Sequence, residues 1–537
     1  MGGTSAAGGG LATGGGSAAV GGPATGGVSS AAAGGLATGG AAAAGGAVLT
    51  GGASGNSGGT GGASAAAGVL VTGGTSAGGG ATGGGSPAGG TAGSTGGSAG
   101  GGGATGGTSG ATGGTGTGGE SGGSTGGASG GRGPTPPSDT ANFPFPQNRE
   151  SPNCIYPTGY ANQDVRNVYE RWKEDLVTSD GAGGFRRVTR PAEHNLNADS
   201  TVSEGIAYGM MITVYMDDQA LFDDLWKYAL AHAWTYTAPW PQTGSEPTLL
   251  MDWYILADGN VATEATGGLS GSGSATDASE DMAWALVMAD RQWGGSGSLD
   301  SSYIDYAREL IDDMWTYEID SNRLPRNGSN WGDDSCLNIS YFAPAFYRVF
   351  AQVSGESRWA TDVVDYIYTV IDNNLNPANG NQDNGLVSAW SQSNGSQAEV
   401  GLGQDPLPFT YQYDSCRTPF RIGLDACWNG DSRAVAYVAK TSQFFSNIGA
   451  ANIVDGYHLN GDENPQFPDE YGGLSAAFIG PAGVGAMHSS SYQGFVDDVY
   501  NMVRQNNMWC GGQYYDESWT VLSLLMLTGN FLDYTQY

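Results

Sequence analysis

The sequence predicts an all-α protein, an (α/α)6 barrel of six helical hairpins preceded by a disordered Gly-rich segment. Three observations carry that expectation. The composition changes abruptly near residue 133. From Asn162 onward, apolar residues recur at helical spacing in roughly twelve segments. Long loops rich in Gly, Asn, Asp and aromatic residues separate those segments, over residues 240–249, 259–274, 324–335 and 374–407. Twelve helices in one domain pair naturally into antiparallel hairpins arranged in a ring, with the loops gathered at one end. An open helical solenoid is the structural alternative, although no fixed repeat period is visible.

Residues 1–140 consist of Gly, Ala, Ser and Thr in near-repeats such as Thr-Gly-Gly, with no charged residue before Glu120 and most of the 95 glycines. Such a segment cannot bury enough apolar surface to offset the entropy of ordering it, and it reads as a disordered linker. A packed Gly-rich solid would need a stricter period. Arg132-Gly133-Pro134-Thr135-Pro136-Pro137 then stiffens the chain into a folded domain over residues 141–537.

That domain holds nearly all of the 52 acidic and 20 basic residues, so the net charge of −32 belongs to it. The acidity argues against nucleic acid and anionic membrane as partners, because both need basic patches. The five cysteines include no CxxC pair, and the four histidines are scattered, so neither zinc spacing nor an HExxH helix is present. No metal or organic cofactor is expected. One or two disulfides fit an exported protein. No apolar run approaches the roughly 20 residues of a membrane helix. The stretch after Met1 has neither the basic region nor the apolar core of a signal peptide, which conflicts with export.

Along the domain, helices are expected to start near residues 162, 203, 219, 277, 300, 341, 358, 417, 432, 474, 490 and 516. Val165, Val168, Trp172 and Leu176 line one face, and Ile304, Ala307, Ile311 and Met314 a second. Val363, Ile367, Val370 and Ile371 line a third; Val496, Val499 and Val503 form a fourth.

Three of these helix starts present an acid. Thr201-Val202-Ser203-Glu204-Gly205 offers Ser203 or Thr201 as a cap and places Glu204 in the first turn, crowded by glycines and a tyrosine. A carboxyl shut away from water keeps its proton to higher pH, as a general acid requires. Ala275-Thr276-Asp277 opens the next, with Asp277 and Asp281 four apart on one face. Alone, Asp277 reads equally well as an N-cap. Tyr413-Asp414-Ser415-Cys416-Arg417 opens the third, with Pro419 suited to a first helical turn. Three acids with tyrosines and tryptophans nearby point to a single acidic cleft.

These stretches, in this order, resemble glycoside hydrolase family 8, the inverting endo-glycanases that include cellulases, xylanases, lichenases and chitosanases. The resemblance runs from about Tyr156 to Phe531 and extends to Leu250-Met251-Asp252-Trp253 and Asn338-Ile339-Ser340-Tyr341-Phe342. It implies Glu204 as proton donor, Asp414 as general base, and Asp277 as the acid holding a distorted sugar in the central subsite. It further implies Arg417, Tyr413 and Tyr341 as lining that subsite, and Trp253 and Trp331 as stacking platforms. One departure is visible: Ser279 stands where the family pattern has a second Asp. Asp rather than Asn at 414 favours the cellulase and xylanase subgroup over chitosanases. The expected partner is a β-linked polysaccharide such as cellulose, bound by a monomer outside the cell or at its surface. A pyranose ring packs its C–H face on aromatic side chains, which also brings Trp284 and Trp428 into consideration. A binding protein that has lost turnover is the reading from another class, and retention of all three acids argues against it.

Overall fold

The computed structural model describes residues 141–191, 197–239, 242–398, 407–505, 510 and 512–537. The Gly-rich segment expected over residues 1–140 lies outside them, as do residues 240–241 and 399–406 of two expected loops.

Helix follows helix, and the pairs form two concentric rings. The outer ring is α1 (Asn162–Leu176), α3 (Gln219–Ala231), α6 (Tyr303–Tyr317), α8 (Asp362–Asn374), α10 (Ser432–Ile448) and α12 (Gln493–Val503). The inner ring is α2 (Ser203–Tyr215), α5 (Thr276–Gln292), α7 (Pro344–Ser354), α9 (Thr418–Asn429), α11 (Ala476–Ala486) and α13 (Gln513–Leu527). A single-turn helix, α4 (Glu264–Gly267), sits in the loop before α5. Each inner helix packs on the next, and α13 returns to pack on α2. That closure makes an (α/α)6 barrel and rules out the open solenoid.

The two rings differ in sequence because they differ in surroundings. The four periodic faces legible in the sequence belong to α1, α6, α8 and α12, all outer helices with one wet side. Ile304 is only half-buried, and Tyr303 and Leu310 complete the face of α6. Every residue of α2 and of α11 is buried, so neither has a polar face to betray its pitch. The α11 helix is also rich in small residues where it crosses α12: a Cβ on Gly483 would lie 2.4 Å from Val499.

Short antiparallel ladders decorate the ring: β1 (Val177–Thr178) with β2 (Arg187–Val188), β3 (Thr201–Val202) with β6 (Tyr254–Ile255), and β4 (Ala233–Thr237) with β5 (Ser245–Met251). The last pair corrects the expectation of a loop over residues 240–249, since residues from Ser245 onward pair with Thr237 and its neighbours. One end of β5 points into solvent while Thr248, Leu250 and Met251 are buried, and this half-exposed ladder carries no continuous alternation. A disulfide joins Cys154, in the segment approaching α1, to Cys427 near the end of α9. Cys336, Cys416 and Cys510 are buried and unpaired.

Candidate active site

The N-terminal ends of inner helices meet at one mouth of the barrel, and each brings a polar side chain. Glu204 lies in the first turn of α2. The expected side-chain cap is not formed. Val202 is the N-cap, Ser203 N donates to Trp253 O at 2.9 Å, and Thr201 Oγ1 donates to Val188 O at 2.8 Å. The β3–β6 ladder fixes this helix start instead, and no competing cap occupies the space around the acid. Asp277 lies in the first turn of α5, where Ala275 is the N-cap. Its Oδ1 accepts from Ala278 N at 2.9 Å, and its Oδ2 reaches across the barrel. Arg417 is itself the N-cap residue of α9, with Pro419 in the first turn as expected, and Asp414 stands in the turn before it. Tyr341 ends the 3-10 turn Ile339–Tyr341 that leads into α7.

One guanidinium gathers these groups. Arg417 Nη1 donates to Glu204 Oε2, to Asp277 Oδ2 at 2.7 Å and to Tyr208 OH at 3.0 Å. Its Nε donates to Ser340 Oγ at 3.1 Å, and its guanidinium carbon lies 5.1 Å from the centre of the Tyr341 ring. Tyr514, at the start of α13, donates to Glu204 Oε1 at 2.9 Å. Gln412 Nε2 donates to Asp414 Oδ2 at 3.2 Å. Arg417 Nη2 and Asp414 Oδ1 are buried, with no hydrogen-bond partner among the described residues. Buried polar atoms call for a partner, and a polar ligand at the mouth would supply one.

The electrostatics follow from counting charges. Glu204 is 1% exposed and Arg417 fully buried, and one cation is shared by two carboxylates. Burial pushes the Glu204 carboxyl up to about 8; Arg417 opposes this, and the neighbouring Asp277 adds to it. Burial likewise raises Asp414, to about 7, against the pull of Arg417 and the Gln412 amide. Both carboxyls therefore keep their protons to higher pH than an exposed acid would.

The layer beneath repeats the pattern one helical turn down. Asp281 takes a two-pronged pair from Arg421, four residues after Asp277 and Arg417 respectively, and Glu280 accepts from Tyr347 OH at 2.6 Å. The shared face of Asp277 and Asp281 read in the sequence is thus used for two stacked ion pairs.

The aromatic residues expected to contact sugar, as platforms or as subsite lining, fall into three groups besides Tyr341. Trp253 and Trp331 border the mouth but are only 3% and 4% exposed, and their indole N–H groups donate to Ser270 O and Ser274 O. They anchor loops rather than stand free. Tyr413 turns its ring away from Arg417: its hydroxyl lies 2.7 Å from Cys510 O and 3.1 Å from Asp455 Oδ2, and its edge packs on Phe478. Trp284 and Trp428 belong to the core, stacked on each other with ring centres 5.3 Å apart. Sequence reading placed Tyr208 beside Glu204 but missed Ser340, Gln412 and Tyr514. A signal existed for Tyr514, since Gln513-Tyr514-Tyr515 also opens an inner helix with polar aromatics.

Comparison with known proteins identifies the family. Residues 143–529 match glycosyl hydrolases family 8. The chain is 36% identical to Endoglucanase A of Acetivibrio thermocellus over 366 residues, 68% of this chain and 68% of that protein. It is 33% identical to Endoglucanase C of Ruminiclostridium cellulolyticum, over 72% of this chain and 77% of that one. Among solved structures, a beta-1,3-1,4-glucanase from Paenibacillus sp. X4 superposes with a TM-score of 0.62 at 28% identity, covering 73% of this chain and 99% of the other.

Proposed function

This chain belongs to glycosyl hydrolases family 8, and from that premise we propose that it is an inverting endo-β-1,4-glucanase hydrolysing internal bonds of cellulose or β-glucan. The observation that carries the reading is the cluster at the mouth, where Arg417 binds Glu204 and Asp277 while Asp414 stands buried in the turn before α9. A glycosidic bond between unactivated sugars needs its leaving oxygen protonated as positive charge grows on the ring. Glu204 supplies that proton. Asp414, its carboxyl held by the Gln412 amide and the Trp390 side chain, takes a proton from the water that attacks the opposite face, which inverts the anomeric carbon.

Asp277 accepts hydrogen bonds from the hydroxyls of a sugar distorted toward its transition-state shape, and Arg417 Nη2 donates to the same ring. Tyr341, with what remains exposed of Trp253 and Trp331, borders the path of the polymer, and Tyr413 supports the Asp414 turn from behind. Loss of Asp277 is therefore expected to lower turnover more than binding. The enzyme acts as a monomer outside the cell, with residues 1–140 as tether or spacer. No helix among the described residues is long and apolar enough to cross a membrane.

The test is reducing-sugar release by the full chain on carboxymethyl cellulose, mixed-linkage β-glucan, xylan and chitosan, with the anomer of the first product read by NMR. Cleavage of cellulose or β-glucan with an α-anomeric product is expected. Cleavage of xylan or chitosan alone would overturn the substrate and leave the mechanism. Binding without cleavage would replace the enzyme by a polysaccharide-binding protein.

A further inference from the structure

Directly behind Asp277 lies a second buried carboxylate that the reaction as described does not use. Glu318 caps the C-terminal end of α6 and is fully buried. Its Oε1 accepts from Ser274 Oγ at 2.6 Å and from Ser279 Oγ at 2.9 Å. Its Oε2 is buried with no hydrogen-bond partner among the described residues. The charged groups that bear on it, Asp277 from α5 and Asp313 from its own helix, are both acidic.

The two serines bracket the acid of the central subsite. Ser274 and Ser279 lie three residues before and two after Asp277, so one carboxylate oxygen ties both sides of the turn that delivers it. The same knot reaches the neighbouring loop. Ser274 exchanges hydrogen bonds with Ser329, with Ser274 N to Ser329 Oγ at 3.0 Å and Ser329 N to Ser274 Oγ at 3.1 Å. Ser274 O accepts the Trp331 indole at 3.1 Å. Thr276 N donates to Asn327 O at 3.0 Å, Asn327 Oδ1 accepts from Asn338 N at 2.9 Å, and Asn338 Oδ1 accepts from Ser340, the residue that holds Arg417 Nε.

We infer that Glu318 is a positioning residue for Asp277, fixing through Ser274 and Ser279 the placement of that carboxylate against Arg417. The inference rests on the proposed glucanase reaction. A knot needed only for folding would be served by a neutral acceptor, whereas Glu318 is an acid set beside another acid without a cation of its own. Burial pushes its carboxyl up to about 7, with the charge of Asp277 adding and the two serine hydroxyls opposing. Above that pH it carries a negative charge toward Asp277 and the proton donor beyond it. That charge favours retention of the proton on Glu204. Ser279 is thus the contact through which α5 engages this carboxylate, in place of an acid of its own.

The variants are Glu318→Gln, which preserves shape and the acceptor oxygen but removes the charge, and Ser279→Ala, which removes one contact. The full chain is assayed on mixed-linkage β-glucan for kcat, KM and pH profile, with a thermal melt for each variant. Glu318→Gln is expected to melt close to wild type and to lose about tenfold in kcat with KM within about twofold, the signature of misplacement. Its alkaline limb is expected to move to lower pH by about half a unit, because the charge that helped Glu204 keep its proton is gone. Ser279→Ala is expected to change kcat in the same direction by less. Wild-type kcat and pH profile in Glu318→Gln would overturn the inference whatever the melt shows. If that variant does not fold, unchanged kcat in Ser279→Ala overturns it, and a fall in kcat at unchanged KM supports it. Failure of the wild-type chain to cut any of the four polymers would overturn the glucanase reading, and this inference with it.

Discussion

The two ends of the inner ring make opposite use of the same helices. At the mouth, the starts of α2, α5, α9 and α13 hold buried charge: Glu204 and Asp277 share Arg417, and Tyr514 bonds Glu204. Toward the other end, the aromatic side chains stack. Trp428 lies on Trp284 and on Phe531, Trp284 on Phe346 with ring centres 4.2 Å apart, and Tyr215 at the end of α2 meets Phe531 at 4.4 Å. The Cys154–Cys427 disulfide fastens the same region. A buried carboxylate short of cations weakens the folded state, whereas stacked rings and a cross-link strengthen it. The barrel therefore keeps its strained chemistry and its stability at separate ends of common helices, and substitutions at the two ends should separate activity from stability.

The largest effect is expected at the mouth. Glu204→Gln should reduce reducing-sugar release by about 10²–10⁴-fold, the range for loss of a general acid, without lowering the melting temperature. A large loss of stability in that variant would break the comparison, because it would make the acid structural. Trp284→Ala should do the reverse: a stability loss of about 3–5 kcal/mol in urea unfolding, with kcat retained well below the transition. Cys154→Ser is expected to cost about 2–4 kcal/mol with activity unchanged at low temperature. Activity falling in proportion to stability there would mean that the two ends are coupled.

Two pH effects sharpen the contrast. The kcat/KM profile should peak in the window between Asp414, at about 7, and Glu204, at about 8, with Asp414→Asn abolishing the acid limb. Stability responds to pH through Glu204. Its folded carboxyl lies at about 8 against 4.5 for an ordinary glutamate, so the unfolded chain releases this proton first as pH rises. The stability it contributes is full below about 4.5 and is lost as pH rises toward 8, at no more than about 1.4 kcal/mol per pH unit. Glu204→Gln removes that slope, so the variant should gain on wild type as pH rises. Parallel melting curves for the two proteins between pH 5 and 8 would show that Glu204 is not held protonated.

Much of the fold was legible because outer helices must wear two faces. Val165, Val168, Trp172 and Leu176 on α1, or Val496, Val499 and Val503 on α12, announce their pitch since the opposite side faces water. Inner helices such as α11 carry no such contrast, and their starts were found from capping positions, prolines and acids instead. The β4–β5 hairpin was missed because half of it is exposed and its apolar half is too short to alternate.

The sequence by itself determined the helix starts to within about four residues, the place of Glu204, Asp277 and Asp414 at or just before three of them, and through its motifs the family to which the chain belongs. It could do so because those signals are local, written within one or two helical turns. Only the tertiary structure decided that the ring closes through α13 on α2, that Tyr514 and Arg417 arrive at Glu204 from 310 and 213 residues away, and that burial raises the carboxyls of both Glu204 and Asp414. It also decided that Trp253 and Trp331 anchor loops and that Glu318 stands behind Asp277. Each of these depends on burial and on charges brought together across the barrel. Neither quantity exists in the chain before it folds.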